Sequence, residues 1–143
     1  TIDRREIDAM VQKASLFMSD YSERDAENFI IRRETLYAVA LSEGYAVSDE
    51  EANEYIQLQI DMSSKADNLD NFNEYLAGYG MSLEEYWKSQ SETLRKELLY
   101  SKYLNDQRER IIKQSGEPDD EEWNAEMRRI EEEARAAFVI EFR

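Results

Sequence analysis

Carboxylates are the only side chains in this sequence numerous enough to suggest acid-base chemistry. They stand in runs at Asp49-Glu50-Glu51, Glu84-Glu85, Asp119-Asp120-Glu121-Glu122 and Glu131-Glu132-Glu133. A carboxylate pair does acid-base work only when one member is buried and its proton is held to higher pH. These runs fall at helix starts or on solvated helix faces, where negative charge is already favourable against the helix dipole. The chain has no Cys and no His, so it offers neither a thiolate nor an imidazole for catalysis or metal ligation. Asp67 to Glu74 has the look of a calcium loop, but Leu69 and Asn71 hold its third and fifth positions and Phe72 stands where the glycine belongs. A bundle di-metal site needs Glu-x-x-His pairs, which a chain without His cannot supply. No phosphate loop, nucleophile elbow or dinucleotide fingerprint is present. The expectation is a non-enzyme with no metal and no cofactor.

A second group of residues suits binding rather than reaction. Tyr75, Tyr79, Met81, Tyr86 and Trp87 surround Gly78 and Gly80, and Met62, Leu69 and Phe72 come just before them. Aromatic rings and thioethers give adaptable contact area with little demand on partner sequence. Met62, Leu69, Phe72, Tyr75, Tyr79, Met81 and Tyr86 are therefore the candidate peptide-binding residues. The same side chains could instead form a satellite core under the glycine turn, and Trp87 reads as core rather than groove.

These residues must be positioned by helices. Four Gly and one Pro in 143 residues leave few breakers, and 41% hydrophobic residues are enough for one domain-sized core. Ile7, Met10, Val11, Ala14, Phe17 and Met18 keep the spacing of one helix face between Asp3 and Ser19. Ser22 with Asp25 can open a second helix that runs to Gly44, although the boundary near Asp20 is weak and one bent helix would also fit. Ser48 and Glu51 form a capping box for a helix burying Ala52, Tyr55, Ile56 and Ile60; residues 63–70 read as a loop, and Phe72 to Leu76 as one or two turns. Ser82 and Glu85 read as another capping box, opening a long spine helix over 82–115 that Gly116 and Pro118 end. The last helix places Trp123, Met127, Ile130, Ala134 and Ala137 in a heptad-like stripe, broadened by Phe138, Val139, Ile140 and Phe142. Trp123, Met127, Ile130, Ala134 and Phe138 are the candidate closing or dimer residues. Such a stripe needs a cover, in the same chain or in another.

The formal net charge is −15, which disfavours nucleic acid and anionic membrane surfaces as partners. Acids outnumber bases nine to one between Glu43 and Glu74, and ten to four between Glu117 and Arg143. These are two solvated helix faces or an acidic rim beside an apolar groove. No run approaches the roughly 20 apolar residues of a membrane span. The start at Thr1, inside a helix-start pattern, reads as a cut end.

Ala40-Leu41-Ser42-Glu43-Gly44 followed by Val47-Ser48-Asp49-Glu50-Glu51, then Phe72 to Leu76, Gly80 and Ser82 with Glu84-Glu85-Tyr86, resembles in order and spacing the N-terminal helical domain of SurA-type and PrsA-type extracytoplasmic chaperones. Thr1-Ile2-Asp3 with Glu6 and Ile7 is similar to the family's opening, without its short first strand. The likeness covers most of residues 1–104. It implies an all-α domain of five to six helices, SurA N-terminal or trigger-factor-like, with residues 1–115 as core and 118–143 as a closing or exchanged helix. It also implies an extracytoplasmic, cell-envelope location, with any membrane anchor outside this sequence, and unfolded or nascent exported polypeptides as partners. The family's parvulin isomerase domain has no counterpart here, since about 15 residues join Leu104 to the last helix; isomerase activity does not carry over. Two readings follow: an ATP-independent chaperone-like module, or a structural module that dimerises through its C-terminal helix.

Overall fold

The computed structural model describes residues 2–15 and 20–138, which hold seven α-helices and no strand. These are α1 (Arg4–Ala14), α2 (Glu23–Ser42), α3 (Asp49–Ser64), α4 (Leu69–Ala77), α5 (Leu83–Ser89), α6 (Ser91–Ser115) and α7 (Asp120–Ala137). Phe17 and Met18, expected on the first helix face, and Val139, Ile140 and Phe142, expected to broaden the last stripe, lie outside the described residues.

Local chemistry explains most of the boundaries. Asp3, Ser22, Ser48, Ser82 and Asp119 each cap a helix by accepting a backbone N–H from its first turn. At Ser22, Ser48 and Asp119 the acid three residues on returns the bond, completing a capping box. Ser82 makes only its own half of the box expected with Glu85. At the end of α2, Tyr45 N–H donates to Ala40 O and Gly44 N–H to Leu41 O, with Gly44 at φ +85°. That pair of bonds is a Schellman motif, and the turn needs a residue without Cβ.

The expected spine helix over 82–115 is broken, which corrects the count of five to six helices to seven among the described residues. The break is at Gln90, whose φ of −90° and ψ of 11° lie between the helical and extended regions. Ser89 Oγ donates to Tyr86 O at 2.6 Å, and the Gln90 N–H is shared between Tyr86 O and Trp87 O. A serine that bonds back along its own helix competes with the ladder and bends it. The sequence Ser89-Gln90-Ser91 therefore separates α5 from α6. The boundary near Asp20 is also real, since α1 and α2 are distinct helices joined across the undescribed residues 16–19.

Helix α2 is the centre of the packing, with α1, α6 and α7 against it; α3 lies on α5 and α6, and α4 on α5. The larger apolar core unites Leu36 and Ala40 of α2, Leu99 and Tyr103 of α6, and Met127 and Ile130 of α7. Each fully buried aliphatic side chain here contributes about 1.5–3 kcal/mol. A second core joins Ile2 and Ile7 to Ala26 and Ile30. The α2–α3 connection is clamped to α6: Arg95 donates to Val47 O and to Asp49, Lys102 to Ala46 O and Glu51, and Tyr45 Oη to Asp106.

Candidate functional site

Because α5 turns away from α6 at Gln90, a gap remains between α1 and α2 on one side and α4, α5 and α6 on the other. It forms a groove of about 600 Å³. Helix α1 contributes Glu6, Ala9, Met10 and Lys13, and α2 contributes Phe29 and Arg33. Gln59 of α3, Tyr75 of α4 and Tyr86 and Trp87 of α5 line the far wall; Gln90, Thr93, Leu94 and Glu97 complete the lining at the α5–α6 junction and along α6. The volume is within the range of ligand-binding clefts. A smaller cavity of about 220 Å³ lies beside it under Leu69 and Phe72, and Lys13, Tyr86 and Trp87 line both.

The aromatic side chains form a continuous series. Phe72 and Tyr75 are stacked at 6.2 Å between ring centroids, Phe72 meets Tyr86 edge-on at 5.1 Å, and Tyr86 meets Trp87 at 5.1 Å. Tyr79 continues it outward at 5.2 Å from Tyr75. Edge-on and offset arrangements are those the ring quadrupoles favour. Burial and the neighbouring Tyr79 hydroxyl push the Tyr75 phenol up to about 12, so it stays neutral at physiological pH. Among the described residues Trp87 Nε1 is buried without a hydrogen-bond partner.

The groove also carries charges. Arg33 is only 4% exposed, and its guanidinium donates to Glu6 at 2.7 Å and to Glu34 at 2.8 Å. Burial works against the Arg33 charge, but the two carboxylates outweigh it and raise its pKa. Burial likewise opposes the Glu34 charge; hydrogen bonds from Arg33 and Lys96 prevail and hold the carboxyl below its ordinary range. The network ties α1, α2 and α6 together. Lys13 donates to Tyr86 Oη at 2.8 Å with its ammonium 5.5 Å from the ring centroid. Glu97 differs from all of these. It makes no hydrogen bond or ion pair among the described residues, and burial raises its pKa against the opposing pull of Arg33 and Lys13.

Of the residues singled out from sequence, Leu69 and Phe72 line the small cavity, Tyr75 the groove, and Tyr86 both. Tyr79 is 56% exposed at the rim, where its hydroxyl donates to Gln12 Oε1 of α1. Met81 is half-buried and Met62 is 59% exposed, and neither lines the groove or the smaller cavity. Trp87, expected in the core, is half-buried and forms groove wall, because the bend at Gln90 redirects its helix. In α7, Met127, Ile130 and Ala134 are buried, Trp123 is half-buried beneath the Arg108 guanidinium, and Phe138 is half-buried at the helix end. The stripe faces the chain's own α2 and α6, aided by an Arg32–Glu131 ion pair at 2.8 Å.

Sequence reasoning missed Glu6, Met10, Lys13, Phe29, Arg33 and Glu97. A signal existed for two of them. Arg33 continues the Ala26-Ile30 stripe toward Tyr37 and Ala40, and Glu97 follows Leu94 at helical spacing. A charge on the inner register of an amphipathic helix marks a paired core ion or a cleft. Among the described residues no group of three or more acids is placed to hold a metal ion, and the residues of the calcium-like run from Leu69 onward are helical. Glu97 is a half-buried acceptor in the groove lining, with Lys13 and Thr93 in the same lining. No protein-family model matches the chain, and no curated protein or solved structure matches it.

Proposed function

We propose that this chain is a non-catalytic, ATP-independent chaperone-like module that binds exposed apolar segments of unfolded or exported polypeptides. The observation that carries this reading is the open groove walled by Met10, Phe29, Tyr75, Tyr86 and Trp87. A groove of this composition offers large apolar contact area with few directional demands, which suits many short segments rather than one ligand. Its occupation would lower a client's exposed apolar surface and slow aggregation, while the net charge of −15 keeps the complex dispersed. The resemblance of most of residues 1–104 to SurA-type and PrsA-type N-terminal domains supports this role, and by that resemblance the work would lie outside the cytoplasm, at the cell envelope. Among the described residues no helix is long and apolar enough to cross a membrane.

Light scattering of a chemically denatured client, diluted with increasing amounts of the protein, tests the reading. Suppression near stoichiometric amounts, weakened several-fold by Tyr75→Ala, is the expected result. No suppression at any ratio, with the protein folded, rejects it.

A second reading has one observation in its favour. Helix α7 reaches its docking face through the short Gly116–Asp119 connection, so two copies that exchanged α7 would make the same contacts as one closed copy. The protein would then be an assembly module, and sedimentation over a range of concentrations would show a dimer.

A further inference from the structure

We propose that the groove selects polypeptide segments in which a lysine or arginine is flanked by apolar residues, with the cation seated against Glu97. This rests on the groove being the client site, and it names the class of segment that fits best. The argument starts from what each charge in the groove already touches. Arg33 is committed to Glu6 and Glu34, and Glu34 also takes Lys96. Lys13 makes its hydrogen bond to the Tyr86 hydroxyl. Glu97 alone lines the cavity with no hydrogen-bond or ion-pair partner among the described residues. A half-buried carboxylate in that position has lost part of its hydration; the pull of Arg33 and Lys13 offsets this only in part, with no hydrogen bond from either, and a cation brought by a ligand supplies the direct partner. The raised pKa of Glu97, caused by burial, agrees with that deficit.

The walls suit the rest of such a side chain. Lysine and arginine carry an aliphatic stem that packs on apolar surface while the charged head seeks a polar partner. Tyr75 and Trp87, half-buried in the lining, offer aromatic surface to both parts. The groove already holds one lysine head at an aromatic residue: the Lys13 ammonium donates to the Tyr86 phenol oxygen at 2.8 Å. At about 600 Å³ the space exceeds one lysine side chain, and Met10, Phe29 and Leu94 remain to receive its apolar neighbours. The acidic chain as a whole draws cationic segments toward it.

The test uses fluorescein-labelled, unstructured peptides centred on Leu-Lys-Phe, and a twin with norleucine in place of lysine, titrated by anisotropy. The wild type should bind the lysine peptide about tenfold more tightly, as a partly desolvated ion pair allows, and the difference should shrink with added salt. Glu97→Gln should bring the lysine peptide to the level of its twin, and Glu97→Lys should invert the order, with folding of both checked by circular dichroism. Should either variant unfold, the wild type's preference and its salt dependence carry the test without them. Equal binding of the two peptides, or a preference that survives Glu97→Gln, overturns this inference and leaves the groove reading intact. Binding of neither peptide overturns both.

Discussion

Two halves of this helical domain are built from similar amino acids to different ends. On one side Leu36, Ala40, Leu99, Tyr103, Met127 and Ile130 interlock between α2, α6 and α7. Salt bridges and side-chain hydrogen bonds close over them from Arg32, Arg95, Lys102 and Tyr45. On the other side Phe29, Tyr75, Tyr86 and Trp87 stand around about 600 Å³ of open space, with Lys13, Arg33 and Glu97 among them. The closed half is mostly aliphatic, with Tyr103 and Met127 buried in it and further aromatics packed at its edge; the open half is large rings with charges. Large planar side chains on short, divergent helices cannot fill the space between them, and charges on the inner register resist closure because burying them costs more than apolar packing returns. Composition alone would have called both halves core.

That contrast can be broken most severely from the closed half. Ile130→Ala should cost about 2–4 kcal/mol in denaturant unfolding, the range for emptying a well-packed aliphatic site. If copies exchange α7, the same variant's midpoint will also shift with protein concentration. Gly116→Ala comes next. With φ at +85° and ψ at −178°, Gly116 occupies backbone space that only glycine adopts readily, and a Cβ there would meet nothing within 4 Å. The cost should be about 1–3 kcal/mol of pure backbone strain, read from thermal or chemical midpoints, and a silent substitution would mean that the hinge relaxes freely. Tyr75→Ala in the open half should leave stability within about 1 kcal/mol, since its ring is only half-buried, while lowering client affinity. A stability loss as large as that of Ile130→Ala would show that the rings belong to a core after all.

The smallest effect sharpens the comparison through pH. The folded state raises the Glu97 pKa, so its charge costs stability at pH values above the raised pKa, and the cost is relieved as pH falls through it. Glu97→Gln should therefore stabilise the protein at pH 7, by under about 1 kcal/mol given solvent screening, and make no difference below the ordinary carboxylate range of about 4. Glu34 has the opposite sign. Its lowered folded pKa contributes stability above the ordinary range that is lost as pH falls through the folded value. Urea unfolding at pH 7 and at acid pH, for wild type and Glu97→Gln, separates the two; a variant less stable than wild type at pH 7 contradicts the sign for Glu97.

Several helix ends were legible from local residues. Ser22 and Ser48 cap where their side chains and the acids three residues on say they must, and Gly44 and Gly116 stop where the backbone turns to positive φ; the Asp119–Glu122 box and the break at Gln90 were not read. The site was half legible. Leu69, Phe72, Tyr75 and Tyr86 were marked by type and proximity in the chain, and the cavities gather them. Lys13, Arg33 and Glu97 were not: Lys13 alone looks like a solvated charge, and the inner-register positions of Arg33 and Glu97 do not say which helices will meet there.

What the sequence determined by itself is therefore local: helical class, caps, stops and the apolar stripe of α7, all set by interactions within a few residues along the chain. The tertiary structure decided where the bend at Gln90 points α5, that the stripe of α7 meets the chain's own α2 and α6, and that the Glu97 carboxylate lies half-buried in a groove with no hydrogen bond or ion pair among the described residues. Those outcomes depend on which helix faces meet between segments distant in sequence. Desolvation and pairing are properties of that meeting, and no single segment carries them.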